Sequence, residues 1–188
     1  FLRTIRWNAL NAEGFPIEVT GGANTYTQTQ NGPAAKNKGI ELIARQRLFF
    51  LPGPLKGLSA DLSATFTESD AKIPGRETEK LPLRGFSDYL FTSSLSYAWR
   101  NFRARVDYRY RSDYIEGLDS TATEDEWFSA RESVDAEIGY RFGRGINLFV
   151  SGSNLTHRAQ VSYTGQKVYP EDVSFSGRKY TIGVEYRF

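Results

Sequence analysis

The chain has no cysteine and no methionine, a single histidine, and no apolar run near the roughly 18 residues that a transmembrane helix needs. Without cysteine there is no disulfide scaffold and no thiolate metal site. Without methionine at position 1, or a basic-then-apolar leader, the 188 residues read as a mature chain or a fragment, and the mid-strand character of FLRTIRW favours a fragment. A large excess of one charge is missing too: 24 basic residues face 22 acidic ones, which argues against nucleic acid as a partner. The missing apolar run leaves one route into a membrane, a closed β-barrel, whose strands are half polar and hide from hydropathy.

Present instead is a strict period of two. In residues 102 to 114, FRARVDYRYRSDY, one face takes Phe102, Ala104, Val106, Tyr108, Tyr110, Ser112 and Tyr114. The other face takes Arg103, Arg105, Asp107, Arg109, Arg111 and Asp113. Side chains alternate along a strand, so this pattern predicts a long strand between an apolar and an ionic environment. Residues 58 to 69, 89 to 100, 128 to 142 and 174 to 188 repeat it, and 38 to 48, 146 to 156 and a weaker opening run bring the expectation to eight strands.

The connections alternate in length. Long polar links near residues 11 to 37, 73 to 87, 116 to 127 and 157 to 173 are separated by short turns at FLPGPLKG, Arg100-Asn101 and Gly143-Arg144-Gly145. Long loops at one end and tight turns at the other describe an antiparallel up-and-down barrel of the outer-membrane kind. The apolar band has the matching height. Counted from the short-turn end, Phe102 to Tyr110, Phe142 to Val134 and Phe188 to Tyr180 each give five outward non-polar positions before a polar one. At about 5 Å of height per tilted pair of residues, the band is roughly 20 to 25 Å tall. A soluble sheet with one wet face would explain the period but not the shared height or the one-sided loops.

Several runs then resemble the C-terminal part of a TonB-dependent outer-membrane receptor, of the proteobacterial branch. They are NGPAAKNKGIELIARQRL at 31 to 48, LPGPLKGLSADLSATFTESDA at 51 to 71, RVDYRYRSDY at 105 to 114, SGSNLTHR at 151 to 158 and GRKYTIGVEYRF at 177 to 188. The resemblance implies the last eight strands of a 22-stranded barrel, with an N-terminal plug domain and a TonB-contacting segment outside this chain. It implies active uptake of a scarce solute such as a ferric siderophore, cobalamin or an oligosaccharide, without a cofactor, in the outer membrane of a Gram-negative bacterium. Outer-membrane lipid, lipopolysaccharide, the TonB system and the barrel-assembly machinery would be its partners, with Tyr186 and Phe188 in the assembly signal.

Two alternatives stand beside it: a complete eight-stranded barrel with a structural or adhesive role, and a barrel enzyme in which His157 works with Ser151, Ser153 or Asp135. A lone histidine at a strand-loop junction is usually a surface residue, so no catalytic residue and no metal ligand is expected. Ligand contact is expected from the aromatics in or beside the long links, Trp127, Phe128, Tyr163 and Tyr169, because loops carry recognition on rigid barrels. The charged row from Arg103 to Asp113 is expected to line the lumen, paired across strands with Asp61, Asp135, Glu137 and Arg141.

Overall fold

A computed structural model describes residues 2–7, 9–29, 34–73, 75–143 and 145–186. Its strands in chain order are β1 (Leu2–Trp7), β2 (Ala9–Leu10), β3 (Pro16–Ile17), β4 (Asn24–Thr29), β5 (Ala34–Arg47), β6 (Leu58–Lys72), β7 (Tyr89–Trp99) and β8 (Phe102–Arg111). There follow β9 (Tyr114–Gly117), β10 (Glu126–Phe128), β11 (Arg131–Phe142), β12 (Ile146–Ser153), β13 (Gln160–Thr164), β14 (Pro170–Ser174) and β15 (Lys179–Tyr186). The fold is all-β, and every pairing between named strands is antiparallel. Among the described residues no helix is long and apolar enough to cross a membrane, which bears on helical spans alone.

The chain divides into two compact units. The smaller, Phe1–Ala35 with Ala71–Leu81, holds β1 paired with β4, β2 paired with β3, and a bridge from Ala71 to Leu81. Within it Arg76 is buried against Glu79, with Nε donating to Oε1 at 3.1 Å and Nη2 to Oε2 at 2.8 Å. The opening run is thus a strand, but its partner β4 lies inside the segment read from sequence as a loop. NTYTQT is β-branched and aromatic at alternate positions, which suits a short hairpin partner nearby in the chain.

The larger unit, Lys36–Asp70 with Pro82–Phe188, is built on a seven-stranded sheet in the order β15-β12-β11-β8-β7-β6-β5. Except for β9, β10, β13 and β14, which form a second sheet, each strand pairs with its sequence neighbour, as a meander requires. Among the described residues β5 and β15 remain the free edges of the large sheet.

Register places the apolar positions of β6, β7, β8, β11, β12 and β15 in common rows. One row runs Leu58, Tyr97, Ala104, Ile138, Val150, Ile182, and the next runs Ala60, Leu95, Val106, Ala136, Gly152, Tyr180. Directly paired residues of an antiparallel ladder share a face, so the band inferred strand by strand is one continuous surface. That surface is uncovered: Leu95, Val106, Ile138, Val150, Ile182 and Val184 are all exposed. A protein core would bury these rows, whereas a barrel wall presents them to lipid.

Short turns close the opposite end. Arg100 reaches φ 52 between β7 and β8, and Gly143 reaches φ 53 between β11 and β12. The Leu-Pro-Gly-Pro segment forms a 3-10 turn over Gly53–Gly57. Its last residue must be glycine, because a Cβ on Gly57 would sit 2.1 Å from the Ala98 carbonyl oxygen. On the polar face, Gly183 makes room for the Phe149 ring, which a Cβ there would meet at 2.2 Å.

These rows generate a direct test. Arginine at Val106, Ile138 or Val184 should cost about 2 to 4 kcal/mol near the bilayer midplane and abolish the folded, heat-modifiable form in outer-membrane fractions. Arginine at Thr65, on the opposite face, should fold normally. Equal yields from both sets would reverse the face assignment.

Candidate functional site

On the polar face the charged row is organised by short contacts. Arg103 Nη2 donates to Asn147 Oδ1 at 2.8 Å, and Asn147 Nδ2 donates to Glu185 Oε2 at 3.3 Å. Arg105 grips Asp107 along its own strand, Nη2 to Oδ1 at 2.7 Å and Nε to Oδ2 at 2.8 Å, and donates to Ser94 Oγ at 2.8 Å. Ser94 in turn donates to Asp107. Arg109 Nη1 crosses to Asp135 Oδ2 at 2.7 Å, while Asp135 Oδ1 accepts the Asn154 backbone N–H at 2.8 Å. Arg45 stands 3.5 Å from Asp61 at the far side of the sheet.

Of the expected cross-strand partners, Asp135 is met by Arg109, Asp61 is met by Arg45 rather than by the β8 arginines, and Glu137 stands opposite Arg105 in register. Arg141 lies opposite Asn147. Half-exposed pairs of this kind contribute only about 0 to 1 kcal/mol each, so the row acts mainly as a fixed pattern of charge on the polar face. A groove of about 500 Å³ runs over it, lined by Glu41, Arg45, Asp61, Thr92, Ser94 and Arg105.

Beyond the apolar band, the last four strands break and resume. β8 stops at Arg111 and the chain restarts as β9 after Ser112 and Asp113. The remaining breaks separate β10 from β11, β12 from β13 and β14 from β15. The four continuations pair in the order β14-β13-β10-β9, so two of the long links carry a second sheet rather than irregular loop. The thirteen-residue strand expected over 102 to 114 is correspondingly shorter: Ser112 N–H still reaches the Tyr89 carbonyl in register, and the Asp113 carboxylate then takes the Ala130 backbone N–H.

This second sheet brings three of the four expected aromatics together. Trp127 lies opposite both Tyr163 and Ile115, and its ring stacks on Tyr163 with centroids 6.4 Å apart and planes at 7°. Phe128 lies opposite Tyr114 on the other face, 5.4 Å away at 22°. Arg111 sits over the Tyr114 ring, 4.1 Å from its centroid. Ile115 is fully buried and Tyr163 is 6% exposed, so Tyr163 supports Trp127 from within. Tyr169 stands apart from the stack in the β13–β14 turn and is 68% exposed.

Asp113 fastens that turn to the top of β8. Its carboxylate accepts the Ala130 backbone N–H and pairs with Lys167, close to the Tyr163 phenol. The Asp113 contact raises the Lys167 ammonium above its ordinary value, with burial opposing it. Burial, then the Asp113 charge, raises the Tyr163 phenol. Sequence reading placed Asp113 in the lumen row and missed Lys167 and Ile115. The short alternation of Gln160–Thr164 was the available signal.

The enzyme alternative finds no assembled centre. His157 is exposed at φ 52 and stacks on Phe175 at 5.6 Å, while the Asp135 carboxylate is engaged by Arg109 and Asn154. Among the described residues no cluster of histidine, aspartate and glutamate has metal-binding geometry. Tyr186 lies at the end of β15 opposite Ile146, and Phe188 lies outside the described residues.

Both raised groups in the clip hold more protons folded than unfolded, so its stabilisation is full below their ordinary values and lost as pH rises through the raised ones. The β13–β14 turn should therefore resist protease at about pH 8 and become cleavable only beyond roughly pH 10 to 11. Lys167→Gln should be cleaved readily already at the lower pH. Identical profiles for the two proteins would remove the clip from the account.

A comparison with family models matches residues 8–155 to the TonB dependent receptor-like β-barrel. A search among curated proteins finds no match. The matched span takes in β2 to β12, with the apolar rows and the charged face as far as β12. By this match the chain belongs to the TonB-dependent receptor β-barrel family, whose members are outer-membrane transporters of Gram-negative bacteria rather than enzymes and work with the TonB system.

Proposed function

We propose that this chain forms part of the wall and mouth of a transporter that takes up a scarce solute, of the ferric siderophore, cobalamin or oligosaccharide class. The observation that carries this reading is the aromatic sheet that continues the strands beyond a charge-patterned wall. Trp127 is held flat by Tyr163, Tyr169 is exposed in the β13–β14 turn, and Arg105, Asp107 and Arg109 of the wall are held by short hydrogen bonds.

Flat aromatic surfaces bind sugar rings and aryl chelators by stacking. A row of fixed charges beneath them suits an anionic or polyhydroxylated solute on its way through. Recognition thus falls to Trp127, Phe128 and Tyr169, with Tyr163 as the buried support, while Arg103, Arg105, Asp107, Arg109 and Arg111 serve passage. A plug domain held within the barrel would be moved through the TonB system, and the barrel-assembly machinery would read Tyr186 and Phe188.

The test uses the full-length receptor on whole cells. Alanine at Trp127 or Tyr169 should weaken surface binding of the transported solute about tenfold, a lost aromatic contact of about 1 kcal/mol or somewhat more. Arg105→Ala should leave surface affinity intact and slow uptake. Unchanged affinity in both aromatic variants, with a loss for Arg105→Ala, would move recognition into the lumen.

A further inference from the structure

We propose that the solute recognised at the aromatic sheet is an uncharged oligosaccharide, selected because the mouth and the wall carry opposite charge in series. The inference rests on the reading of Trp127 and Tyr169 as the recognition surface and narrows it to one solute class. Charge is sorted along the chain. Residues 112 to 130 and 159 to 177, which hold β9, β10, β13 and β14 with their links, carry eight acidic residues and a single basic one, Lys167. Of the 24 basic and 22 acidic residues, all but that one base and those eight acids lie elsewhere, so the remainder of the chain is basic.

The acidic excess around the aromatic sheet is not cancelled locally. Glu124 Oε2 accepts the Ser120 and Thr121 hydroxyls at 3.1 and 2.7 Å, and Glu171 Oε2 accepts the Thr164 hydroxyl at 2.8 Å. These carboxylates are thus oriented by neutral donors and keep their charge. Asp113 is met by Lys167, and Glu116 by Arg84, which reaches it from the link before β7 at 3.2 Å. The nearest arginines stand at the strand breaks and are held there. Arg111 lies over the Tyr114 ring, Arg131 Nη1 donates to Gln160 Oε1 at 3.0 Å, Arg158 pairs with Glu132, and Arg178 donates to the Leu155 carbonyl. The two acidic segments are in contact: the Gly165 N–H donates to the Asp125 carbonyl at 2.9 Å, and a Cβ on Gly165 would meet the Thr123 carbonyl oxygen at 2.7 Å. Trp127 and Tyr163 follow directly from these segments, so their stack lies within the acidic field.

The wall has the opposite sign. In the charged row of β8, Arg103, Arg105, Arg109 and Arg111 stand with Asp107 as their one carboxylate, and Arg103 is held by the uncharged Asn147 amide. Surface fields of this kind raise the local concentration of opposite charge and lower that of like charge. An anionic iron chelate is therefore turned back at the mouth, while a cationic solute drawn to the mouth meets arginines along the wall. An uncharged solute meets no opposing field in either region. Its recognition rests on ring faces, which stack on the faces of sugar rings, and on the hydroxyls that polar side chains can bond. Trp127 and Tyr169 stand apart, so they offer two ring-sized faces, which suit successive sugars of one chain better than a single broad macrocycle.

The experiment uses full-length receptor purified in detergent and probed on an array of uncharged, uronate-bearing and amine-bearing glycans of matched length, with a ferric tris-catecholate and cyanocobalamin alongside. An uncharged glycan should bind, with an affinity that changes less than about twofold between roughly 0.05 and 0.5 M salt. Its uronate-bearing counterpart should bind at least about tenfold more weakly at the lower salt. The exposed carboxylates are then neutralised together as Glu124→Gln, Glu171→Gln and Asp172→Asn, which keeps an oxygen acceptor for Ser120, Thr121 and Thr164. That variant should bind the uncharged glycan unchanged and the uronate form several-fold more tightly, at low salt only. Trp127→Ala should weaken the uncharged glycan about tenfold. The charge selection is overturned by an array with no uncharged binder, by tightest binding of a charged glycan, the chelate or cobalamin, or by a neutralised variant no more tolerant of uronate. If that tightest ligand is still weakened by Trp127→Ala or Tyr169→Ala, the aromatic recognition surface stands and only its solute class falls. A ligand indifferent to both alanine variants would overturn the surface itself and this inference with it.

Discussion

A slip of one residue in any ladder of the seven-stranded sheet would turn a strand's apolar set toward water and its charges toward lipid. Register is therefore the constraint on which the rest of the structure depends. It places Val106 beside Leu95 and Ala136, and the same pairing necessarily places Arg105 beside Ser96 and Glu137. The lipid surface and the charged wall are two sides of one set of hydrogen bonds. In a bilayer that set must also satisfy the backbone, because hydrocarbon offers no partner to an open N–H or carbonyl.

The functional regions follow from that arrangement. Where the period of two persists, charged residues are regularly spaced and held by neighbours of the same row, as Arg109 is by Asp135. Where the strands break above the band, the second sheet trades ionic contacts for aromatic ones and gains a small core around Ile115 and Tyr163. Asp113 sits at the junction and serves both regions, taking the Ala130 N–H below and Lys167 above. Buried Tyr163 beneath the half-buried Trp127 holds that ring in one orientation.

The seven strands of the large sheet were legible in the sequence because each is at least eight residues long and alternates apolar with polar side chains, with a few exceptions such as Phe149 and Leu90 on the polar face. Loop polarity and length gave the sidedness. Less could be read where strands are short. Glu126–Phe128 has three residues and Tyr114–Gly117 four, too few to display a period, and the second sheet forms because Trp127 finds Tyr163 across a ladder. The break after Arg111 was hidden because alternation continues through Ser112 and Asp113 while the backbone does not. The opening run was legible as a strand but not in its partner, since pairing depends on tertiary choice as well as local pattern. Among the aromatics, composition could nominate Tyr163 but could not reveal that it is buried.

These 188 residues contain no cysteine, so within them a spin label can be placed at one position at a time without removing a thiol. Single cysteines at each residue from Phe102 to Arg111, labelled in the full-length receptor in lipid bilayers, would report accessibility to oxygen dissolved in lipid and to a water-soluble nickel chelate. Phe102, Ala104, Val106, Tyr108 and Tyr110 should favour oxygen, and Arg103, Arg105, Asp107, Arg109 and Arg111 should favour the chelate, with a period of two residues. Accessibility without that alternation, or chelate access along the whole strand, would contradict a membrane-facing wall.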